Sequence, residues 1–289
     1  MASSTRKGFG MRLDQQVLAL GLAESKSRAQ ALILGGAIAV NGKVVRKSGI
    51  LVDESSTVTQ VALANPYASR GGIKLAHALK TFSVSPQGWR IIDLGASTGG
   101  FTDCWLQHGA EQVYAVDGGY GQLAWKLRQD PRVHVFERTN ARYLTMAQLN
   151  LSEPVEAASV DASFISLKLL LAPLRQLVAK DGLVIALIKP QFEAGPALVG
   201  KGGVVRDPNV HERVIKTVLA DAERLGFVAQ GLASSPIRGP EGNIEFLVRL
   251  GAGPGRSIAV VDVVEQAWQR GGGRGWIACC CGPIPKRNR

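Results

Sequence analysis

The sequence predicts an α/β protein with two parts, a small α+β unit over residues 11–64 and a doubly wound sheet domain over residues 71–251. Beyond Pro66, short apolar strands alternate with helices, which is the pattern of a parallel sheet covered on both faces. Before Pro66, two helices and a hairpin form a compact pattern of their own. Residues 65–70 link the two parts. Gly, Pro and Arg accumulate after residue 251, so we expect 252–289 to form a poorly ordered tail.

The first unit is predicted from its caps and its turn. Apolar residues recur at near-helical spacing from Leu13, which indicates a first helix. A second helix begins after an N-cap at Ser25 or Ser27 and ends at Gly35-Gly36. Asn41-Gly42 then separates two strand-like runs, and this dipeptide favours the type I′ turn of a hairpin. A unit of this size suits binding better than elaborate catalysis.

The strands and helices of the second domain are predicted from runs of apolar residues. Strands are predicted at 90–94, 112–116, up to Val160, 183–188 and 245–250. Helices are predicted at 102–108, 167–178 and 209–225, with one short helix near 263–268. Continuous apolar strands indicate a sheet buried on both sides, because a strand with one solvated face alternates apolar and polar residues.

The chain is basic, with 34 Lys and Arg against 23 Asp and Glu and a formal charge of +11 over 289 residues. The excess lies at the ends: residues 1–65 carry eight basic and four acidic side chains, and 251–289 carry six and two. Such clusters can contact an RNA backbone, although an ordinary solvated surface explains them equally well. The candidate RNA contacts are Arg12, Lys26, Arg28, Lys43, Arg46, Lys47 and Arg70.

A glycine-rich turn follows the first strand of the second domain, in Asp93-Leu94-Gly95-Ala96-Ser97-Thr98-Gly99-Gly100. Glycines let a ligand approach the backbone, and Asp117, which ends the next strand, can accept hydrogen bonds from ribose hydroxyls. The turn has no basic residue and follows an acid, so it suits a cationic nucleoside better than a pyrophosphate. S-adenosylmethionine fits this description. The alternative is a tight turn needed only for packing.

Four ionisable residues lie at unusual places: Lys74, Asp161, Lys189 and Glu245. Asp161 follows a strand, Lys189 ends the most apolar strand, Glu245 starts a strand, and Lys74 precedes the first strand. Ligands of open α/β sheets bind outside the carboxyl ends of the strands. A lone buried lysine is costly, but two lysines and two carboxylates are jointly neutral and can share one site. Taken singly, each is explained equally well as a rim charge.

Cysteine and histidine usage predicts no metal site. Cys104 is isolated, and Cys279-Cys280-Cys281 lack the C-x-x-C spacing of zinc and redox sites. We therefore expect a reducing, cytoplasmic location. No apolar stretch is long enough to span a membrane, and residues 1–7 lead into no apolar signal core, so we expect no membrane partner.

Together these motifs resemble the TlyA family, often labelled hemolysin A. Residues 11–60 are similar to an S4 RNA-binding domain, and residues 66–250 resemble the FtsJ-like 2′-O-ribose methyltransferases, with matching segments at 69–75, 188–195 and 239–245. The resemblance implies a Rossmann-like, S-adenosylmethionine-dependent methyltransferase domain preceded by an S4 domain. It also implies that the substrate is ribosomal RNA, methylated on cytidine ribose 2′-hydroxyls in both ribosomal subunits.

Residue by residue, the resemblance implies a catalytic tetrad of Lys74, Asp161, Lys189 and Glu245. The cofactor residues that it implies are Asp93, Gly95, Ser97, Gly99, Asp117 and Asn140. Gly118 departs from the family pattern, which has Val there, and so does the ending around Cys279–Cys281. A neutral Lys189 would be a general base, whereas a charged one would steer the hydroxyl and stabilise its developing charge, and the sequence leaves both open.

Two other functions compete with this one. A non-catalytic RNA-binding or ribosome-assembly factor explains the basic ends but leaves Lys189 and Asp161 without a role. A membrane-lytic hemolysin requires an amphipathic or spanning segment, and the sequence shows neither. An RNA 2′-O-methyltransferase is the hypothesis that accounts for the first unit, the glycine-rich turn and the four ionisable residues at once.

Overall fold

A computed structural model describes residues 10–53, 55–61 and 65–271. The chain divides into two compact units, Met1–Pro66 and Tyr67–Arg289.

The described residues of the first unit form two helices and five short strands. In chain order these are β1 Met11–Arg12, α1 Leu13–Ala19, α2 Lys26–Gly35, β2 Ile38–Val40, β3 Lys43–Val44, β4 Leu51–Val52 and β5 Val58–Gln60. The predicted N-cap is confirmed at Ser25, whose Oγ accepts a hydrogen bond from the Arg28 N–H. The hairpin is confirmed as well, because β2 and β3 pair antiparallel and both Asn41 and Gly42 have left-handed φ angles of 50° and 76°.

The second unit alternates strands and helices, as the sequence predicts. Its elements are α3 Gly71–Thr81, β6 Arg90–Leu94, α4 Gly100–Gln107, β7 Gln112–Val116, α5 Trp125–Arg128, β8 Val133–Phe136, β9 Val155–Val160, α6 Leu167–Leu177, β10 Val178–Ile188, α7 Pro190–Glu193, α8 Pro208–Arg224, β11 Val228–Ser234, β12 Phe246–Gly251 and α9 Val260–Gly271. Helices α3, α5 and α7 and strands β8 and β11 are additions to the elements predicted from the sequence.

The strands form one seven-stranded sheet in the order β11-β12-β10-β9-β6-β7-β8. The predicted parallel arrangement is confirmed for the five strands from β10 to β8. It is wrong for β12, which pairs antiparallel with both β10 and β11. The start of β12 therefore lies beside the end of β10, with Phe246 opposite Ile188.

Helices cover both faces of this sheet. On one face, α6, α8 and α9 bury Leu171, Ile215 and Val264 completely. On the other face, α3 and α4 bury Leu75 and Trp105 completely. Both faces of the sheet are buried under helices, which explains why the central strands consist of continuous apolar residues.

The prediction of a poorly ordered tail from residue 252 is wrong for residues 260–271, which form α9. Val264 and Ala267 of this helix are fully buried. The Trp268 indole N–H donates to His211 Nδ1 at 3.1 Å, which ties α9 to α8. Apolar residues at helical spacing dock α9 against α8 and β11 despite the glycine-rich surroundings. The cysteines at 279–281 lie outside the described residues.

Candidate active site

Two buried ion pairs are formed by the four ionisable residues that the sequence singles out. Lys74 Nζ lies 2.6 Å from Glu245 Oε2, and Lys189 Nζ lies 2.7 Å from Asp161 Oδ1. Lys74 and Glu245 are 7% and 1% exposed, and Lys189 is 9% exposed. Two lysines and two carboxylates thus meet as a neutral cluster. We call these four residues the tetrad.

Strand direction explains why the tetrad assembles. Asp161 follows parallel strand β9, and its N–H donates to the Leu94 carbonyl oxygen at 3.0 Å. Lys189 follows parallel strand β10, so both residues lie at the carboxyl edge of the sheet. Glu245 precedes β12, and because β12 runs antiparallel its beginning lies at that same edge. Lys74 reaches the cluster from α3.

Burial shapes the electrostatics of the tetrad. It raises the pKa of Glu245, and the neighbouring charge of Lys74 opposes this effect. Lys189 and Asp161 also act on the pKa of Glu245, with smaller and opposite effects. The two ion pairs therefore interact with each other and form one site.

Lys189 has two further neighbours that sequence reasoning missed. Its Nζ donates to Ser163 Oγ at 3.0 Å and lies 6.0 Å from the centre of the Phe192 ring. Next to Ser163, Phe164 is 90% exposed with a left-handed φ of 64°, and its ring lies 4.9 Å from that of Phe192. A bulky residue rarely adopts this backbone conformation, which holds the aromatic ring at the mouth of the site.

More exposed aromatic rings lie on the loops that follow β7 and β8. Arg138 stacks over the Tyr120 ring at 4.3 Å, and Arg142 lies 5.5 Å from the centre of the Tyr143 ring. Tyr120 is 68% exposed and Tyr143 is 65% exposed. Exposed rings beside arginines provide stacking surfaces and charge for single-stranded nucleic acid. The pairing of arginines with tyrosines in these two loops is the signal that could have revealed them.

The glycine-rich turn between β6 and α4 touches the tetrad directly. Gly95 has a φ of 81°, and a Cβ atom there would lie 2.7 Å from the Asp161 carbonyl oxygen. Ser97 and Gly99 are also left-handed, with φ angles of 48° and 91°. Only a residue without a side chain fits at position 95, so the turn and Asp161 are held in one arrangement.

Asp117 closes the turn from the neighbouring strand. Its carboxylate accepts hydrogen bonds from the N–H groups of Ser97 at 2.8 Å and Gly119 at 2.6 Å. A half-exposed carboxylate beside a left-handed turn fits the ribose of a nucleoside. The cavity here is about 10 Å³, room for roughly one water molecule, and its lining includes Ser97, Gly119 and Gln122.

Asp93 and Asn140 differ from the expected cofactor contacts. Asp93 is fully buried beneath the turn, and its oxygens accept from Thr102 Oγ1 at 2.7 Å and Ser159 Oγ at 2.8 Å. Burial raises its pKa to about 6. Asp93 therefore supports the turn from below instead of facing a ligand. Asn140 is exposed, and its Oδ1 accepts from the Arg142 N–H, outside the cavity beside Asp117.

The candidate RNA contacts of the first unit fall into two groups. Arg12 is neutralised by an ion pair with buried Asp14 at 2.9 Å, and Arg46 donates to the Leu34 carbonyl oxygen at 3.3 Å. The remaining cations are exposed and form no ion pair within the described residues; they are Lys26, Arg28, Lys43 and Lys47. In the second unit, Arg70 is exposed and caps the start of α3.

Two other properties concern metals and membranes. Across residues 10–53, 55–61 and 65–271, no three His, Cys, Asp or Glu side chains are grouped to hold a metal ion. None of the helices in this same part of the chain is long and apolar enough to span a membrane.

Comparison with known proteins covers both units. Residues 67–252 match the FtsJ-like methyltransferase model, and residues 11–58 match the S4 domain model. The 16S/23S rRNA (cytidine-2′-O)-methyltransferase TlyA of Mycobacterium tuberculosis is 40% identical over 264 residues, 90% of this chain and 98% of that protein. Bacillus subtilis YqxC, described as a candidate rRNA methyltransferase, is 50% identical over 239 residues, 83% of this chain and 85% of that protein.

A solved structure from Streptococcus thermophilus, described as a candidate hemolysin, is 41% identical with a TM-score of 0.70. The similarity covers 91% of this chain and 98% of that one. Fold, domain order and sequence therefore agree. The chain belongs to the TlyA family, in which an S4 domain precedes an FtsJ-like methyltransferase domain.

Proposed function

We propose that this protein is an S-adenosylmethionine-dependent methyltransferase that modifies cytidine ribose 2′-oxygens of ribosomal RNA, with ribosomal subunits as its partners. The observation that carries the proposal is the neutral tetrad of two buried ion pairs, adjoining a glycine-rich turn at the carboxyl edge of the sheet. The M. tuberculosis relative named for this reaction covers 90% of the chain. Ribosomal RNA as the substrate implies a cytoplasmic location.

The turn from Gly95 to Gly99 and the carboxylate of Asp117 would hold the methyl donor. When bound, S-adenosylmethionine supplies a methyl group activated on a sulfonium. Gly95 places the turn against the backbone of Asp161, so a donor held by the turn would lie next to the tetrad. Proximity of this kind contributes much of the rate, because the methyl group is already activated.

Lys189 and Asp161 act on the ribose hydroxyl. From its ion pair with Asp161, Lys189 Nζ would donate a hydrogen bond to the 2′-oxygen, orient it and stabilise charge that develops there. Once the oxygen carries the methyl group, it is a strong acid and releases its proton to Asp161. Lys74 and Glu245 are positioning residues, since their pair is more deeply buried than that of Lys189 and Asp161.

RNA is held by both units. In the S4 domain, the exposed cations Lys26, Arg28, Lys43 and Lys47 contact phosphates. In the methyltransferase unit, the stacked pairs Tyr120–Arg138 and Tyr143–Arg142 contact unpaired bases and backbone near the site. A non-catalytic assembly factor could bind RNA through the same surfaces. It would not need the tetrad, whose burial costs free energy.

Methyl transfer from labelled S-adenosylmethionine to ribosomal subunits and to bare ribosomal RNA tests the proposal. Label on a ribose 2′-oxygen of cytidine, lost in Lys189→Ala, is the expected result. A folded wild-type protein that binds RNA but labels no substrate would show that the protein is an assembly factor instead.

A further inference from the structure

A second polar cavity, of about 570 Å³, lies in the methyltransferase unit away from the tetrad. It is bounded by the end of α3, strands β11 and β12, and the segment 256–259 that leads into α9. These parts of the strands lie toward the edge of the sheet opposite the tetrad, because Arg249 is three residues along β12 from Phe246. Its polar lining residues are Thr81, Ser83, Gln230, Arg249, Arg256 and Ser257.

The cavity is positively charged and contains no acidic side chain in its lining. Arg249 Nη1 donates to the Phe82 carbonyl oxygen at 2.9 Å, whereas Arg249 Nε is buried without a hydrogen-bond partner in the described structure. Burial and the charge of Arg256 both lower the pKa of Arg249. Two guanidinium groups therefore lie close together, and within the described residues neither forms an ion pair.

Two more cations lie on the helices that border this cavity, Lys80 on α3 and Arg270 on α9. The charges of Arg270 and Lys80 both act on half-buried His77, and with burial they lower its pKa. Arg270 Nη1 also lies 3.4 Å from Ser234 Oγ, at the end of β11 nearest the tetrad. Lys80, next to Thr81 of the cavity lining, and Arg270, beside Ser234, add positive charge between the cavity and the active-site edge, and we call these two residues the strip.

Two acidic side chains, Asp262 and Glu265, are exposed on α9. Neither lines the cavity, and within the described residues neither forms an ion pair with its arginines. An anion from another molecule can therefore neutralise the cavity. Guanidinium groups match phosphate oxygens by paired hydrogen bonds, and the surrounding hydroxyls and the Gln230 amide can donate further ones.

We propose that this cavity binds a backbone phosphate of the RNA substrate, as a docking site separate from the tetrad. The inference rests on the proposed function only in taking RNA as the substrate. A large folded RNA that occupies the active-site edge has further strands that can reach the flank of the domain. Arg256 and Arg249 bind the phosphate, and the strip of Lys80 and Arg270 follows the backbone.

Binding of the full-length chain to ribosomal subunits over a range of salt concentrations tests this site. Arg256→Gln removes one exposed charge from the cavity, and Arg213→Gln removes one from the exposed face of α8 as the matched control. We expect Arg256→Gln to weaken RNA binding and to reduce the slope of log affinity against log salt by about 1. The rate at saturating RNA stays unchanged, because Arg256 does not touch the tetrad.

Equal salt slopes for wild type and Arg256→Gln would overturn the proposal. A melting-temperature increase caused by inorganic phosphate in the wild type but not in Arg256→Gln, together with unchanged RNA slopes, would assign the cavity to a small anion and also overturn it. This assay measures RNA binding and does not depend on methyl transfer. A wild-type protein without methyltransferase activity would therefore contradict the proposed function, but the RNA-binding test of this cavity could still be made.

Discussion

Lys74 and Glu245 are 171 positions apart in the chain, yet their Nζ and Oε2 atoms form a buried ion pair at 2.6 Å. The pair joins α3, next to the link between the units, to the antiparallel strand β12 near the end of the domain. Charge neutrality in a buried place is what holds these two segments together at the active-site edge.

Glu245→Gln should destabilise the methyltransferase unit strongly. The substitution leaves the Lys74 ammonium, 7% exposed, without its counter-charge, and losing one partner of a buried pair costs about 3–5 kcal/mol. Urea denaturation followed by tryptophan fluorescence measures the loss. The double variant Lys74→Met/Glu245→Leu should lose less unfolding free energy than the sum of the losses of Lys74→Met and Glu245→Leu. If the losses of the two single variants simply add up in the double variant, the two residues are not coupled.

Lys189→Ala should lower the rate of methyl transfer about 100- to 1,000-fold, the usual effect of removing one donor to a developing charge. Single-turnover assays at saturating S-adenosylmethionine measure this, with circular dichroism to verify folding. If Lys189 acts as a hydrogen-bond donor from its ion pair with Asp161, the wild-type rate should not rise tenfold per pH unit between pH 7 and 8.5. Such a rise would identify a neutral Lys189 as the general base.

Gly95→Ala should impair catalysis more than stability. The added Cβ would meet the Asp161 carbonyl oxygen at 2.7 Å and would push the tetrad away from the turn. Gly88→Ala is the matched control, since Gly88 is also left-handed but has no atom within 4 Å of the added Cβ. Gly88→Ala should lose about 1–2 kcal/mol of stability from backbone strain, and Gly95→Ala should lose more, because its added Cβ also displaces backbone atoms. Equal activities of the two would exclude a link between the turn and Asp161.

The docking of α9 should weaken in acid. His211 is fully buried and accepts the Trp268 N–H, and burial lowers its pKa to about 4. The unfolded chain has the ordinary histidine pKa near 6.5 and binds the proton first. The free energy of unfolding therefore has its full value above pH 6.5. It decreases as the pH falls to about 4, by about 3 kcal/mol in all.

Denaturation midpoints between pH 7 and 4.5, with Trp268 fluorescence as the probe, measure this dependence. His211→Gln can keep an acceptor for the indole N–H but does not titrate. Its stability should vary less with pH over this range, and the same pH dependence in both proteins would rule out His211 as the cause.

Lys43→Gln should weaken RNA binding by the S4 domain without changing the rate at saturating RNA. Lys43 is exposed and unpaired within the described residues, so its charge is available to a phosphate. Lys180→Gln, an equal charge change on an exposed position before the buried part of β10, is the control. Similar affinities for the two variants would show that net charge, and not this surface, binds the RNA.

Several parts of the site could be predicted from local sequence. Asp161 and Lys189 directly follow apolar strands, and parallel strands place their carboxyl ends at one edge. The Asn41-Gly42 hairpin follows from the left-handed backbone that these two residues tolerate. The burial of Asp93 was not predictable, because it depends on Thr102 and Ser159, which lie on a helix and on another strand.

The sequence by itself determined the order of the elements, the glycine-rich turn and the identity of the four ionisable residues, since these depend on local periodicity and on side-chain type. Only the tertiary structure decided that β12 runs antiparallel, that Glu245 pairs with Lys74 and that α9 docks against α8. The physical reason is that pairing between distant segments depends on how the whole chain buries its apolar faces and neutralises its charges. No short stretch of sequence contains that information.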